Sequence, residues 1–198
     1  MGTEREVMLT GIGGQGVQLA AQVLARAATR EGRQVMLFGV YSGMMRGGNS
    51  DSTVVVGDGP LQAPPLISRT WSAIVLHHKY WSSVRDRLRP GSLLVVNTPV
   101  FEDTVDRDSW TVFDVPATST AIELGSPMTA SMVITGAYVA ITGLVSLDAA
   151  IAGMRDAVPP YRQQHVEAND AAIRAGHDLA VGAGWLGAAP AFGERALT

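Results

Sequence analysis

Cysteine is absent from this 198-residue chain, lysine is nearly absent, and aromatic residues make up only 6% of it. Without a thiol the chain forms no disulfide, offers no thiolate nucleophile, and cannot ligate zinc or an iron–sulfur cluster through cysteine. The 15 basic residues are almost all arginine and form no run, and the net charge is −3, which argues against a nucleic-acid partner. Long apolar runs are missing too. The most apolar later stretch, Met132 to Val145, contains two glycines and two threonines and is too short to span a bilayer. The start, Met1-Gly2-Thr3-Glu4-Arg5-Glu6, is polar and charged, unlike a signal peptide. A cytoplasmic location is therefore the expectation. What the chain does have is 46% hydrophobic residues against 17% charged, the balance of a folded domain with a full core. Residues 1–181 are expected to form a single domain, and the Gly/Ala-rich residues 182–198 an irregular tail.

The apolar patterning alternates between strands and helices. Arg5 to Thr10 reads as a first strand and Gln15 to Thr29 as a helix. Gln34 to Val40 reads as a second strand, buried and parallel by its near-continuous apolar run. A glycine-rich loop, 41–50, leads to a third strand at 51–57 with a β-branched centre. Ala73 to His77 is a fourth strand, Tyr80 to Leu88 a helix ended by Pro90-Gly91, Leu93 to Asn97 a fifth strand and Thr111 to Val115 a sixth. The rest turns helical: 117–124, then 131–142, apolar on nearly all sides and so buried in the domain or against a partner. A helix at 147–157 follows the N-cap Ser146, and a last amphipathic helix runs 163–181. This order predicts an α/β fold with a mainly parallel sheet and a helical C-terminal part.

Chemistry concentrates first in Gly11-Ile12-Gly13-Gly14-Gln15-Gly16, placed between the first strand and the first helix. Glycine lets the backbone turn tightly and approach a ligand, and the unpartnered N–H groups and dipole of the following helix favour a phosphate. Read as G-x-G-x-x-G, the loop uses Gly11, Gly13 and Gly16 and suggests a Rossmann-like, three-layer, nucleotide-binding domain. The alternative is purely structural, a tight turn with close helix–strand packing. A nicotinamide fingerprint also needs an acid at the end of the second strand. That strand ends Leu37-Phe38-Gly39-Val40-Tyr41-Ser42, with no acid.

A second loop, Ser42-Gly43-Met44-Met45-Arg46-Gly47-Gly48, follows the second strand and is expected on the same edge of the sheet as the first. Arg46 beside two glycines is either a clamp for phosphate or carboxylate or a pin to backbone or a partner subunit. Together, Gly-x-Gly-Gly-Gln-Gly and Arg-Gly-Gly resemble the gamma subunit of 2-oxoacid:ferredoxin (acceptor) oxidoreductases, the pyruvate, 2-oxoglutarate, 2-oxoisovalerate and indolepyruvate enzymes. The segments 88–97, 115–118, 132–137 and 142–146 match in the same order, so the resemblance runs from about Val7 to about Ala172.

The resemblance implies a subunit of a complex that oxidatively decarboxylates a 2-oxoacid, usually to an acyl-CoA, passing electrons to ferredoxin. Thiamine diphosphate with Mg lies in alpha and beta subunits, and the iron–sulfur clusters lie in a ferredoxin-like subunit or domain. The gamma chain is associated with assembly and coenzyme A binding, for which Gly11, Gly13, Gly14, Gln15, Gly16, Ser42, Arg46, Gly47 and Gly48 are the candidate residues. No catalytic residue and no metal ligand is implied here, and the isolated chain is expected to be inactive. The sequence departs from the pattern at Met44-Met45, where an acidic residue is usual, and at Ser131, where Asn is usual.

A free-standing NAD(P)-binding oxidoreductase and a nucleotide-binding regulatory module remain as alternatives. Lys79-Tyr80 lacks the spacing that would put both side chains on one helix face. His77-His78 reads as a strand-end pair satisfied by backbone or an interface rather than a metal site. Trp71, Tyr80 and Trp81 read as core or interface. No Gly-x-Ser-x-Gly surrounds Ser42, Ser50 or Ser52, and Asp103, Asp106 and Asp108 lack the glycine and distal glutamate of a calcium loop.

Overall fold

The computed structural model describes residues 2–41, 47–62 and 67–192. Six strands form one sheet in the order β2-β3-β1-β4-β5-β6. They are β1 (Glu4–Ile12), β2 (Gln34–Tyr41), β3 (Asn49–Gly57), β4 (Thr70–Val75), β5 (Leu88–Asn97) and β6 (Thr111–Val115). Strands β1, β4, β5 and β6 pair in parallel, while β3 runs antiparallel between β1 and β2. The result is an α/β fold with a mixed, mostly parallel sheet.

The second strand departs from expectation. It forms a hairpin with β3 and stands at the sheet edge, neither parallel-paired nor deeply buried, and Leu37 on it is 42% exposed. An apolar run shows that a strand is buried somewhere; it does not identify its neighbour. Two antiparallel steps restore direction, so β2 still points the same way as β1. Its end lies at the carboxyl edge of β1, with Tyr41 and Gly11 both opposite Ser50.

The long helices, α1 (Val17–Arg30), α4 (Ala130–Thr142), α5 (Leu147–Ala157) and α6 (Val166–Gly182), share one apolar core with the inward residues of the sheet. In α1, Val17, Ala20, Ala21, Leu24, Ala27 and Ala28 are buried, the i, i+3, i+4 stripe of an amphipathic helix. Every residue of α4 from Ser131 to Thr142 is buried. This settles the open choice for that segment: its apolar surface belongs to the domain's own core. Its larger side chains, such as Met132 and Ile134, contribute roughly 1.5–3 kcal/mol each on burial. The short helix α3 (Ala117–Glu123) closes one end of this layer.

The other face of the sheet carries a thinner cover. Trp81 is buried there against Phe101 and Trp110, edge to face, and its indole N–H donates to Asp103 at 2.6 Å. The expected helix at 80–88 is reduced to a 3₁₀ turn, His78–Tyr80, and the single turn α2 (Ser82–Arg85). Pro90-Gly91 does not end a helix. It lies within β5, at a register shift against β4, where a bulge relieves proline of its missing donor. The Arg89 N–H donates to Ser92 Oγ, and that hydroxyl to the Thr70 carbonyl, both at 2.9 Å.

Residues 183–192, which follow α6, are irregular yet docked. The N–H groups of Gly187, Ala189 and Ala191 donate to the carbonyls of Ala140, Ile141 and Thr142, at 2.8, 3.0 and 2.7 Å. These are the carbonyls a helix C-terminus leaves without partners. No helix among the described residues is long and apolar enough to cross a membrane.

Candidate ligand site at the glycine loop

The turn between β1 and α1 is built by its own sequence. The Ile12 N–H donates to Gln15 Oε1 at 2.9 Å, and the Gln15 N–H to the Ile12 carbonyl at 3.1 Å. Gln15 therefore holds the loop closed. A Cβ at Gly11 would stand 2.8 Å from Gln15 Oε1 and 3.1 Å from Leu76 Cβ, so Gly11 is demanded by packing. Gly16 is the N-cap of α1, in the left-handed region with φ 83°, and no side chain caps the helix.

The two glycine loops meet. The Gly13 N–H donates to the Gly48 carbonyl at 2.8 Å. Tyr80 reaches the same segment from the opposite side, its hydroxyl donating to the Gly47 carbonyl at 3.4 Å. Gly14 (φ 103°) and Gly47 (φ 85°) both have open space where a Cβ would stand, with no atom within 4 Å. The structure thus brings together Gly11, Gly13, Gly14, Gln15, Gly16, Gly47 and Gly48. Ser42, Gly43, Met44, Met45 and Arg46 lie outside the described residues.

Beneath this junction lies a residue that sequence reasoning passed over. Asp51, near the start of β3, accepts from Thr10 Oγ1 at 2.6 Å and from Asn49 Nδ2 at 2.8 Å, and its backbone carbonyl accepts from Gln18 Nε2 at 3.0 Å. It ties the ends of β1 and α1 to the hairpin. The polar run Asn49-Ser50-Asp51-Ser52, ahead of an otherwise β-branched strand, was the available signal.

The His77-His78 pair sits at the same sheet edge. His78 Nδ1 lies 2.8 Å from the Val100 carbonyl, and His77 accepts from the Lys79 N–H at 3.1 Å. Burial, then the neighbouring His78, lowers the His77 pKa from its ordinary value. Both rings are engaged by backbone. Among the described residues no group of three or more His, Cys, Asp or Glu could hold a metal ion. Asp106 accepts from the N–H groups of Asp108 and Ser109 and shapes its own turn.

Known proteins match over most of the chain. The family described as pyruvate ferredoxin/flavodoxin oxidoreductase matches residues 6–179. The 2-oxoglutarate synthase subunit KorC of Methanothermobacter marburgensis is 33% identical over 182 residues, covering 88% of this chain and 96% of that one. The keto/oxoacid ferredoxin oxidoreductase gamma subunit of Geobacter sulfurreducens superposes with a TM-score of 0.77 at 28% identity, covering 91% of this chain and 98% of that one. The 2-oxoglutarate:ferredoxin oxidoreductase of Magnetococcus marinus, solved with 2-oxoglutarate, coenzyme A and succinyl-CoA bound, shares the fold. Its TM-score is 0.80 at 20% identity, over 91% of this chain and 31% of that one.

Proposed function

Because this chain belongs to the pyruvate ferredoxin/flavodoxin oxidoreductase family, we propose that it works as the gamma subunit of a 2-oxoacid:acceptor oxidoreductase. In this reading it assembles in the cytoplasm with alpha and beta subunits that hold thiamine diphosphate and Mg, and with a ferredoxin-like subunit or domain that holds the clusters. This chain supplies assembly and a coenzyme A contact. The observation that carries the reading is the match to gamma-type chains over 88–91% of this chain, joined to the meeting of the two glycine loops at Gly13 and Gly48.

The residues present suit a phosphate-bearing cofactor. Gly14 and Gly47 leave their backbone unobstructed by side chains, beside the uncapped N-terminus of α1, where backbone N–H groups and the dipole favour an anion. Bound coenzyme A would supply the thiol that accepts the acyl group. This chain's part is to orient its phosphates through Gly13, Gly14, Gly16, Gly47 and Gly48, with Ser42 and Arg46 as further candidates. Ile122, Leu124, Met128 and Tyr161 are large and exposed, and they favour burial by other subunits.

The sheet order weighs against a nicotinamide enzyme. In a dinucleotide fold the acid that holds the ribose ends the strand beside β1. Here β3 stands between β1 and β2, so the end of β2 is two strand spacings away, about 9–10 Å.

The test is tagged purification from the native source, with turnover assays on the single chain and on the complex. Co-purification of thiamine- and cluster-bearing chains, with 2-oxoacid- and coenzyme A-dependent reduction of an acceptor by the complex alone, is the expected result. Turnover by the pure single chain with a 2-oxoacid or NAD(P) would refute the reading.

A further inference from the structure

The two edges of the sheet are built differently. At one edge β6 is five residues long and carries Asp114, whose carboxylate accepts two bonds from Arg107, at 2.9 and 2.7 Å. A short strand that bears charge is a common protection of a sheet edge against a further strand. The opposite edge, β2, has no such protection. Its eight residues, Gln34-Val35-Met36-Leu37-Phe38-Gly39-Val40-Tyr41, include no charge and no proline. Among the described residues β3 pairs with its inner side, α1 packs against it, and no strand pairs with its outer side. Alternate residues of such an edge point N–H and C=O groups outward without a ladder partner. Leu37, in the middle of the strand, is large, apolar and exposed.

The occupant these residues fit is the same strand of a second copy. A twofold axis normal to the sheet brings two β2 edges together antiparallel, and side chains directly opposite each other then lie on the same face of the joined sheet. One residue must stand on the axis and meet itself. With Leu37 there, Met36 faces Phe38 of the second copy and Val35 faces Gly39 of the second copy, so the central pairs are apolar and support the ladder. No like charges meet. Arg33, the first charge before the strand, stands at the other end of the ribbon from its counterpart, about 27 Å away at roughly 3.4 Å per residue. The arrangement is also closed. Each copy uses its one unprotected edge, and the two six-stranded sheets join into one that ends on both sides in β6.

We propose that this chain self-associates through β2, antiparallel and centred on Leu37, to give a continuous sheet across two copies. This goes beyond its place among other subunits: it requires two copies of the chain per assembly, whichever chains accompany them.

The experiment weighs the full chain, and the purified complex, by sedimentation equilibrium. The chain alone should be a dimer and the complex should hold two copies. Leu37→Lys sets two ammonium groups against each other on the axis and removes an apolar contact, so the dimer should weaken about tenfold or more; thermal melting checks that the variant is folded. Thr111→Lys, the same charge on the exposed end of β6, should leave the dimer intact. Mixing Leu37→Lys with Leu37→Glu should restore it, because residue 37 meets only its own counterpart. The chain has no cysteine, so Leu37→Cys adds a single thiol, and mild oxidation should link two copies. Val35→Cys should stay unlinked: its two thiols would lie about 14 Å apart along the ribbon, beyond disulfide reach. An unaltered chain that is single both alone and in the complex, a dimer indifferent to Leu37→Lys, or equal linking through residues 35 and 37 would overturn the proposal. So would a Leu37→Lys chain that keeps its dimer but loses a different subunit, since the edge would then belong to that subunit. If the dimer behaves as expected and no thiamine-bearing chain co-purifies, the gamma-subunit reading falls while this one stands.

Discussion

Helices α4 and α6 cross at backbone contact, and two glycines make that possible. A Cβ at Gly136 would overlap the Ile173 carbonyl oxygen outright and stand 2.8 Å from its carbon. A Cβ at Gly176 would meet the Val133 carbonyl in the same way, 2.7 Å from the carbon. Real Cβ contacts essentially never fall below 3.0 Å, and the obstacle is backbone rather than a side chain that could turn away. Gly176→Ala must therefore push α6 off α4, a helix buried along its whole length. Overpacking of this kind costs roughly 1–3 kcal/mol and sometimes more, while alanine returns about 1 kcal/mol of helix propensity. Because rigid backbone meets the methyl, the overpacking cost sits at the upper end of that range, about 3 kcal/mol, and the net loss is about 2 kcal/mol. In a chain of this size that lowers Tm by about 4–8 °C and removes a sizeable share of a typical stability of roughly 5–15 kcal/mol. Urea unfolding of the full chain, with Gly182→Ala as control, measures it. No atom lies within 4 Å of a Cβ at 182, so the control should be neutral or gain up to about 1 kcal/mol. A Gly176→Ala protein as stable as the parent, with an unchanged urea slope, would refute the close-crossing argument.

Gly16→Ala should lose both stability and ligand affinity, because φ 83° and contact with Ser131 oppose a side chain there; melting and titration of the same sample check it. Asp51→Ala strands the buried Thr10 hydroxyl and should cost about 1–3 kcal/mol, read as a lower urea midpoint. The His77 pKa is lowered in the folded protein, so the unfolded chain takes up the proton more readily. His77 therefore costs nothing well above its unfolded value of 6.5 and destabilises progressively as pH falls through it. Urea midpoints at pH 8 and pH 5.5 should differ less in His77→Gln than in the parent.

Much of the fold was written locally. The helix at 147–157 runs as its signals predict, from the Ser146 cap, whose hydroxyl accepts the Ala149 N–H at 3.2 Å, to the residue before Val158-Pro159. The glycine loop between β1 and α1 is equally local, since Gln15 and Ile12 close it within four residues. Composition alone removed cysteine chemistry. What short-range pattern could not supply was strand pairing: the run 34–41 reads as a strand in any sheet, and only the hairpin with β3 made it an edge. Nor could it distinguish a helix buried at home from one buried against a partner, because the apolar pattern of α4 is the same in both cases. Ser131, Arg162 and Asn169 carry no signal in isolation. They share a cleft because Gly136 and Gly176 let α4 and α6 approach closely, bringing helix ends more than thirty residues apart in sequence to the same glycine loop. Long-range packing decides such convergence, and no window of sequence contains it.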